Sequence, residues 1–317
     1  MAMIEVRNLR KVYKDIVALD GATFEVEKGE IFGLLGPNGA GKSTTIRILT
    51  TLTLPTSGSA RVAGYDVVKH PMEVRRKIGL VAEKVILYDR LTAWENLMFF
   101  AHLHDVPDKE ARSRIEEGLK MVDMWEWRNV RVQKFSTGMK QRVNIVRSII
   151  HRPEVLFLDE PTLGLDPQTT RRIREFVKEL NERGTTIVLT THLMNEAELL
   201  CDRVGIIDKG CIVALDTTAK LKRMIKSSGV EIVALEIPNG SWQALEELKR
   251  MPHISKVIMV DQDEVHVHMD GIEDAVTYLV NAVQKLGLKI RTIRSLEPTL
   301  EDVFIELTGH SIRNGVK

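Results

Sequence analysis

At 317 residues the chain exceeds the roughly 250–300 residues at which a single hydrophobic core stops growing, so two domains are expected. Apolar residues at 44% and charged residues at 28% are ordinary for a soluble globular protein, and a formal net charge of +1 gives no ground for a nucleic-acid partner. No run approaches the ~18 uninterrupted apolar residues of a membrane span, and Met1-Ala2-Met3-Ile4-Glu5 lacks the charged-then-apolar order of an export signal, so the expectation is a cytoplasmic chain. Cys201 and Cys211 have no zinc-site spacing and read as two small buried thiols.

Apolar and polar residues alternate over 4–9 and again over 22–27, which predicts two antiparallel strands leading into a third. Tyr13 lies between them and is open to two readings, a stack on an adenine face or an ordinary core or surface tyrosine. The apolar run 31–35 predicts a buried strand. Gly36-Pro37-Asn38-Gly39-Ala40-Gly41-Lys42-Ser43-Thr44 follows it, and a helix is expected over 44–50. Strand, glycine loop and helix together are the context of a phosphate-binding loop. Its glycines turn the backbone tightly, its N–H groups and the helix N-terminus attract phosphate oxygens, Lys42 reaches the outer phosphates, and Ser43 supplies a hydroxyl to Mg²⁺.

A strand is expected over 77–82, and Glu83 at its carboxyl end lies where open α/β sheets bind ligands. Thr92 and Glu95 have capping-box spacing at the start of a helical stretch that continues over 108–124, with Trp125 and Trp127 read as buried in it. Ser136, Thr137 and Gly138 open a further helix, another N-terminus suited to an anion. The apolar strand 155–158 ends in Asp159-Glu160, a pair placed to hold the metal shell and to orient or deprotonate an attacking water. A turn containing Asp166, a helix over 168–183 and a buried strand over 185–190 follow, with His192 just beyond that strand. At this sheet edge His192 could reach a terminal phosphate, although a lone histidine is usually structural.

The phosphate loop, the Ser-x-Gly helix start, the Asp-Glu strand end, the turn with Asp166 and the strand-end His192 occur here in one order. Over roughly residues 2–226 that combination resembles the ATP-binding subunit of ABC transporters. The resemblance implies a P-loop NTPase of α/β class over 1–226, with a helical subdomain at about 90–152. It implies ATP and Mg²⁺ as ligands, Tyr13 as the adenine-stacking aromatic, Glu160 as the catalytic carboxylate and His192 as the switch histidine. Ser43, Glu83 and Asp159 would serve the metal. Ser136 to Gln141 correspond to the signature that binds the ATP held by an opposite subunit, and Asp166 to the loop crossing that interface. Glu83 stands where the family usually has glutamine, and Thr137 where it usually has glycine. Glutamate keeps an acceptor but loses the amide donor, and threonine adds a β-carbon near phosphate.

From residue 230 the pattern reads strand, helix, hairpin, helix, strand, with strands at 230–237, 256–260, 265–269 and 289–293 and helices at 242–250 and 272–286. That order fits a small α+β ferredoxin-like (βαββαβ) domain over 230–317, joined by the linker 226–229. His266 and His268 share one face of a strand, which a metal could use or which could simply be exposed. The tail from Leu296 to Phe304 is similar to the ending of drug-resistance and sodium-export ATP-binding subunits, where it implies an accessory or regulatory domain.

The whole resemblance implies an ATP-binding and ATP-hydrolysing subunit of an export-type ABC transporter. Such a subunit dimerises, with itself or a relative, around two ATP molecules and drives separate transmembrane permease subunits from the cytoplasmic face of the cell membrane. The alternatives are a soluble non-transport ABC ATPase and a regulatory nucleotide binder. Against the former, the chain has no long coiled coil, Cys-rich insertion or basic run.

Overall fold

In the computed structural model, which describes residues 2–227, 230–236, 242–259, 264–272, 274–287 and 289–309, the early alternation becomes β1 (Ala2–Tyr13) and β2 (Ile16–Glu27). They pair antiparallel, and Ile4, Val6, Leu9, Phe24 and Val26 turn inward. β1 also pairs with β4 (Ser57–Val62), which pairs with the short β5 (Tyr65–Asp66).

The second sheet is built from β3 (Ile31–Leu35), β6 (Ile78–Val81), β7 (Val155–Asp159), β8 (Thr186–Thr191), β9 (Arg203–Asp208) and β10 (Cys211–Thr217). Its order is β10-β9-β3-β8-β7-β6, parallel except for the β9–β10 pair. β3, β7 and β8 are buried along their whole length, which explains their unbroken apolar runs. The consequence for function lies in the order: β8 is inserted between β3 and β7.

Side-chain caps open several of the helices. α1 (Lys42–Leu49) begins directly on the glycine loop, two residues before the expected start, and α2 (Pro71–Lys77) carries proline in its first turn. α3 (Ala93–Leu103) has the Thr92–Glu95 capping box with both reciprocal bonds, and α4 (Asp108–Met121) follows. Two short 3₁₀ turns lead into α5 (Thr137–Ile149), capped by Ser136. α6 (Pro167–Glu182) is capped by Asp166, and α7 (Met194–Leu200) follows β8. Two expectations in this region are corrected. Trp127 is 47% exposed, with Arg128 and Lys120 over the neighbouring Trp125 ring, so cationic cover replaces burial. Cys201 is buried, but Cys211 lies exposed on the edge strand β10.

The contacts divide the chain after Thr218, so α8 (Thr218–Ser227) goes with the second unit instead of closing the first. That unit contains β11 (Val230–Glu236), α9 (Trp242–Leu248), β12 (Ile254–Met259), β13 (Glu264–Asp270), α10 (Ala275–Lys285) and β14 (Thr292–Leu296). The antiparallel order β12-β13-β11-β14 is that of a ferredoxin-like βαββαβ sheet. Val233, Leu235, Val265, Val267 and Met269 face Leu245, Leu248, Leu279 and Val283 of the two helices. The last strand runs three residues later than the expected 289–293, because this edge strand reads Thr-Ile-Arg-Ser-Leu and carries little periodic signal. Ile237, Val260, Asp261, Gln262, Asp263, Ser228 and Gly229 of the sequence reading lie outside the described residues.

The tail forms α11 (Leu300–Thr308), opened by a Thr299–Asp302 capping box. Leu300, Val303, Phe304 and Ile305 are buried, and Lys256 Nζ donates to Ile305 O at 3.2 Å. α11 thereby covers His268, which is 2% exposed with Nε2 3.3 Å from Asp302 Oδ1, so the exposed-face reading of this histidine is overturned. His266 stays beside Glu264, and among the described residues no group of three or more His, Cys, Asp or Glu side chains could hold a metal ion.

Burial alone would raise the Asp302 pKa, but the His268 contact and the Thr299 N–H and hydroxyl outweigh it and hold the carboxyl below its ordinary 3.8. A depressed carboxyl stabilises the fold above its unfolded pKa and loses that contribution as pH falls through the folded value. His268→Asn should therefore move the acid-unfolding midpoint of this unit to higher pH, read by circular dichroism across a pH series. An unchanged midpoint would mean the pair contributes nothing.

Candidate active site

The phosphate loop owes its shape to three glycines with distinct reasons. A Cβ on Gly36 would lie 2.2 Å from the Ile207 carbonyl oxygen of β9, so only glycine lets the loop leave β3 against its neighbour. Gly39 (φ 82°) and Gly41 (φ 114°) occupy left-handed backbone, and Gly41 directly precedes α1. Ala40 N donates to Pro37 O at 3.2 Å and closes the turn. Gly36→Ala should force β9 or the loop to shift, lowering the thermal midpoint and abolishing nucleotide binding in a titration. Parental values for both would show that the loop relaxes at no cost.

Lys42 is 5% exposed, and its Nζ donates to Gly36 O at 2.7 Å and Pro37 O at 3.1 Å. A cavity of about 320 Å³ opens beside it, lined by loop residues between Pro37 and Thr44 other than Ala40, by Glu83 after β6 and by Glu160 and Leu163 after β7. Loop, Glu83 and Glu160 thus converge on one space at the carboxyl edge of the sheet, as their strand-end positions predict.

The Asp-Glu pair divides between two sets of partners. Asp159 Oδ1 accepts from Ser43 Oγ at 3.1 Å and from Thr190 Oγ1 at 2.5 Å. Glu160, with left-handed backbone at φ 50°, turns its side chain the other way. Its Oε1 lies 3.3 Å from Lys42 Nζ and its Oε2 2.9 Å from His192 Nδ1, at 9% exposure. The strain of that backbone is held by Glu160 N, which donates to the Thr190 carbonyl at 3.1 Å. Oε1 is buried and accepts no hydrogen bond, so this carboxylate keeps an acceptor in hand within the cavity.

Thr190, a contact of Gln141 within the signature stretch, and Thr162 complete this arrangement, and the sequence alone did not single out either threonine. Thr190 sits on β8, in register with both Leu34 and Asp159, and its hydroxyl donates to Asp159 Oδ1 and accepts from Glu160 N at the end of β7. Gln141 Nε2 donates to Pro161 O at 2.9 Å, tying α5 to the segment that follows Glu160. Thr162 Oγ1 donates to Glu196 Oε1 at 2.7 Å, and burial pushes the Glu196 carboxyl above its ordinary range. The first two join residues 31 and 20 positions apart, so no local pattern announces them.

A second group of expected site residues stands apart from the cavity. Ser136 Oγ caps α5 by accepting from Met139 N at 3.3 Å; Ser136 and Thr137 are exposed, while Gly138 is buried. A Cβ on Gly138 would lie 2.9 Å from Thr169 Oγ1, and Thr169 N donates to Asp166 Oδ1 at 2.9 Å. The starts of α5 and α6 are thereby packed side by side, and the Thr169 N–H holds the Asp166 carboxyl below its usual range. Tyr13 ends β1 at 39% exposure with Lys11 Nζ 4.7 Å from its ring centroid, and it does not line the cavity either.

The residues present suit a magnesium nucleotide. Ser43 and Asp159 are hard oxygen donors held together, and Glu83 faces the same cavity. The loop N–H groups and Lys42 supply positive charge for phosphate.

Comparison with known proteins agrees with a nucleotide-binding fold. Residues 19–163 match the ABC transporter family model, and residues 217–308 match that of the ATP-binding protein DrrA1-3-like C-terminal domain. The linearmycin resistance ATP-binding protein of Bacillus subtilis is 37% identical over 98% of this chain and 100% of its own length. The daunorubicin/doxorubicin resistance ATP-binding protein of Streptomyces peucetius is 36% identical over 97% and 92%. Among solved structures, an ATP-binding subunit of an ABC transporter superposes with TM-score 0.66 at 33% identity, covering 71% of this chain and 93% of that one. An ATP-binding cassette dimer in a post-hydrolysis state, bound to ADP and Pi, gives 0.63 at 31% over 68% and 98%. With both halves matched and the relatives aligned nearly end to end, the chain belongs to the ABC transporter ATP-binding proteins and, among them, to the group that carries a DrrA-like C-terminal domain.

Proposed function

We propose that this chain is the ATP-hydrolysing motor of an export-type ABC transporter, with Glu160 as general base. The observation that carries the reading is the buried Glu160 carboxylate, held between Lys42 and His192 on the phosphate-loop cavity. Lys42 and the loop N–H groups bind and orient the outer phosphates of ATP. Glu160 accepts the proton of the attacking water, and His192 holds that carboxylate in position. Mg²⁺, held by Ser43 and Asp159 with Glu83 near its water shell, would supply positive charge at the phosphate oxygens. Tyr13, outside the cavity and exposed, would take the adenine ring.

Ser136, Thr137, Gly138 and Asp166 lie outside the cavity that contains Lys42, which supports a second subunit, identical or related, offering its own copies of them to this nucleotide. Two ATP molecules are then closed between two subunits, and hydrolysis reopens the pair. Among the described residues no helix is long and apolar enough to cross a membrane. The transport path would belong to separate permease subunits, with this chain peripheral on the cytoplasmic face, and the second unit, which begins at α8, would form an accessory or regulatory domain.

Purification of the tagged full chain from detergent-solubilised membranes tests this. A polytopic partner with Glu160-dependent ATPase activity is expected, whereas recovery only with ribosomes, or alone, would leave a non-transport ATPase. Glu83→Gln should shift the Mg²⁺ concentration that supports half-maximal hydrolysis, since an anion beside phosphate is replaced by a neutral amide. Superimposable metal titrations would remove Glu83 from metal coupling.

A further inference from the structure

At the opposite ends of the strands from the phosphate loop lies a larger cavity of about 440 Å³, between α4, α5, the C-terminal end of α6 and the turns that enter β7 and β8. That volume is within the range of about 300–1,000 Å³ typical of small-molecule sites. We propose that it binds a free, single-chain amphipathic anion, with the apolar chain inside and the acidic head between Lys28 and Arg152.

The walls divide by chemistry. Met3, Val146, Ile150 and Leu180 are buried and form an apolar floor, with Met121 of α4 half-buried at its edge. The floor owes its shape to a close approach of α4 and α5 at Gly118, where a Cβ would lie 2.6 Å from Val146 Cγ1. The charged groups at the rim are unevenly matched. Glu117 is paired with Arg183, Glu154 with Lys77, and Arg114 with Glu110. Lys28 and Arg152 are exposed and, among the described residues, have no ion-pair partner. The anions at the mouth are thus neutralised and two cations remain, which complements a negative head and opposes a positive one.

Those two cations stand on a fixed mouth. Gly29 N donates to Thr186 Oγ1 at 2.9 Å and Asn181 Nδ2 donates to Gly29 O at 2.7 Å, which pins the Lys28 turn to β8. Thr186 N donates to Glu154 O at 3.0 Å and Arg152 N to Ile149 O at 2.8 Å, which pins the Arg152 turn beside it. Arg152 itself has left-handed backbone at φ 55°, so this turn is held by its surroundings. The lining joins α4 of the helical segment to α6 and the strand starts, and an occupant would bridge the two. It could not touch nucleotide, because the length of β7 and β8, roughly 17–20 Å, separates the two cavities.

Isothermal titration calorimetry of the full chain with decanoate, below its micelle concentration and with saturating ATP present or absent, tests the proposal. The expected result is one decanoate per chain, unaffected by ATP, with decanol and decyltrimethylammonium at least tenfold weaker. Lys28→Gln combined with Arg152→Asn, which tolerates left-handed backbone, should weaken decanoate at least tenfold and leave decanol unchanged. Met121→Trp, filling the cavity from its half-buried edge, should abolish binding of both, with circular dichroism confirming the fold of each variant. No decanoate binding, several molecules per chain, displacement by ATP, or equal affinity in the wild type and both folded variants would overturn it.

Discussion

Replacing Glu160 with glutamine should lower ATP turnover by roughly 10²–10⁴-fold, the usual contribution of a positioned general base, while ATP binding survives. The side chain keeps its shape and its contact with His192, but an amide cannot take the proton of an attacking water. Binding should survive because the groups proposed to meet phosphate are elsewhere. Lys42 retains its two carbonyl acceptors in the loop, and Ser43 and Asp159 remain joined. Loss of the Glu160 charge also frees Lys42 from the 3.3 Å ion pair, so affinity for ATP should be equal to or above that of the wild type. In the proposed cycle, where closure follows binding and reopening follows hydrolysis, an ATP-bound dimer should accumulate. Phosphate release, equilibrium nucleotide binding and sedimentation with ATP would read the three effects, and turnover at the parental rate would place the base on another residue.

Lys42→Ala should act on binding. Truncating one partner of a buried, hydrogen-bonded charge pair costs about 2–5 kcal/mol, which corresponds to about 30-fold to several-thousand-fold in affinity. The same substitution should lower stability, because it leaves the Glu160 carboxylate 9% exposed with only His192 beside it. The two substitutions are therefore coupled. Lys42→Ala combined with Glu160→Gln removes both buried charges and should recover part of the thermal midpoint lost in Lys42→Ala, without recovering ATP affinity. Calorimetric melting and nucleotide titration of the four proteins form the cycle. Unchanged ATP affinity in Lys42→Ala would remove this lysine from phosphate recognition, and strictly additive melting shifts would show that the ion pair carries no weight in the fold.

The features that sequence alone determined are those written within a few residues. The glycine loop announces its own shape, because left-handed backbone at Gly39 and Gly41 and the crowding of Gly36 admit little else. Thr92, Ser136 and Asp166 each cap the helix that follows through a bond to a backbone N–H three residues on. β3, β7 and β8 read as buried because unbroken apolar runs have no other stable place. Glu83, Asp159, Glu160 and His192 could be assigned to one edge of the sheet from their positions at strand ends, and the order of the second unit's elements predicted its sheet.

Tertiary structure decided which of those residues meet. Ser43 and Asp159 are 116 residues apart and bond only because β8 lies between β3 and β7. That order also sets the Thr190 hydroxyl against Asp159 and Glu160, although nothing around it in sequence marks it. Asp159 and Glu160 are adjacent and chemically similar, yet the backbone turn at Glu160 sends one toward the Ser43 hydroxyl and the other toward Lys42 and His192. Burial misled the sequence reading wherever a distant element supplied or withheld cover. α11 closes over His268, while Cys211 is left on an edge strand and Trp127 under solvent. Local periodicity, caps and glycines act over at most a turn or two of chain and are legible there. Strand order and burial are set by the lowest-energy packing of segments scores of residues apart, a property of the assembled core that no single stretch contains.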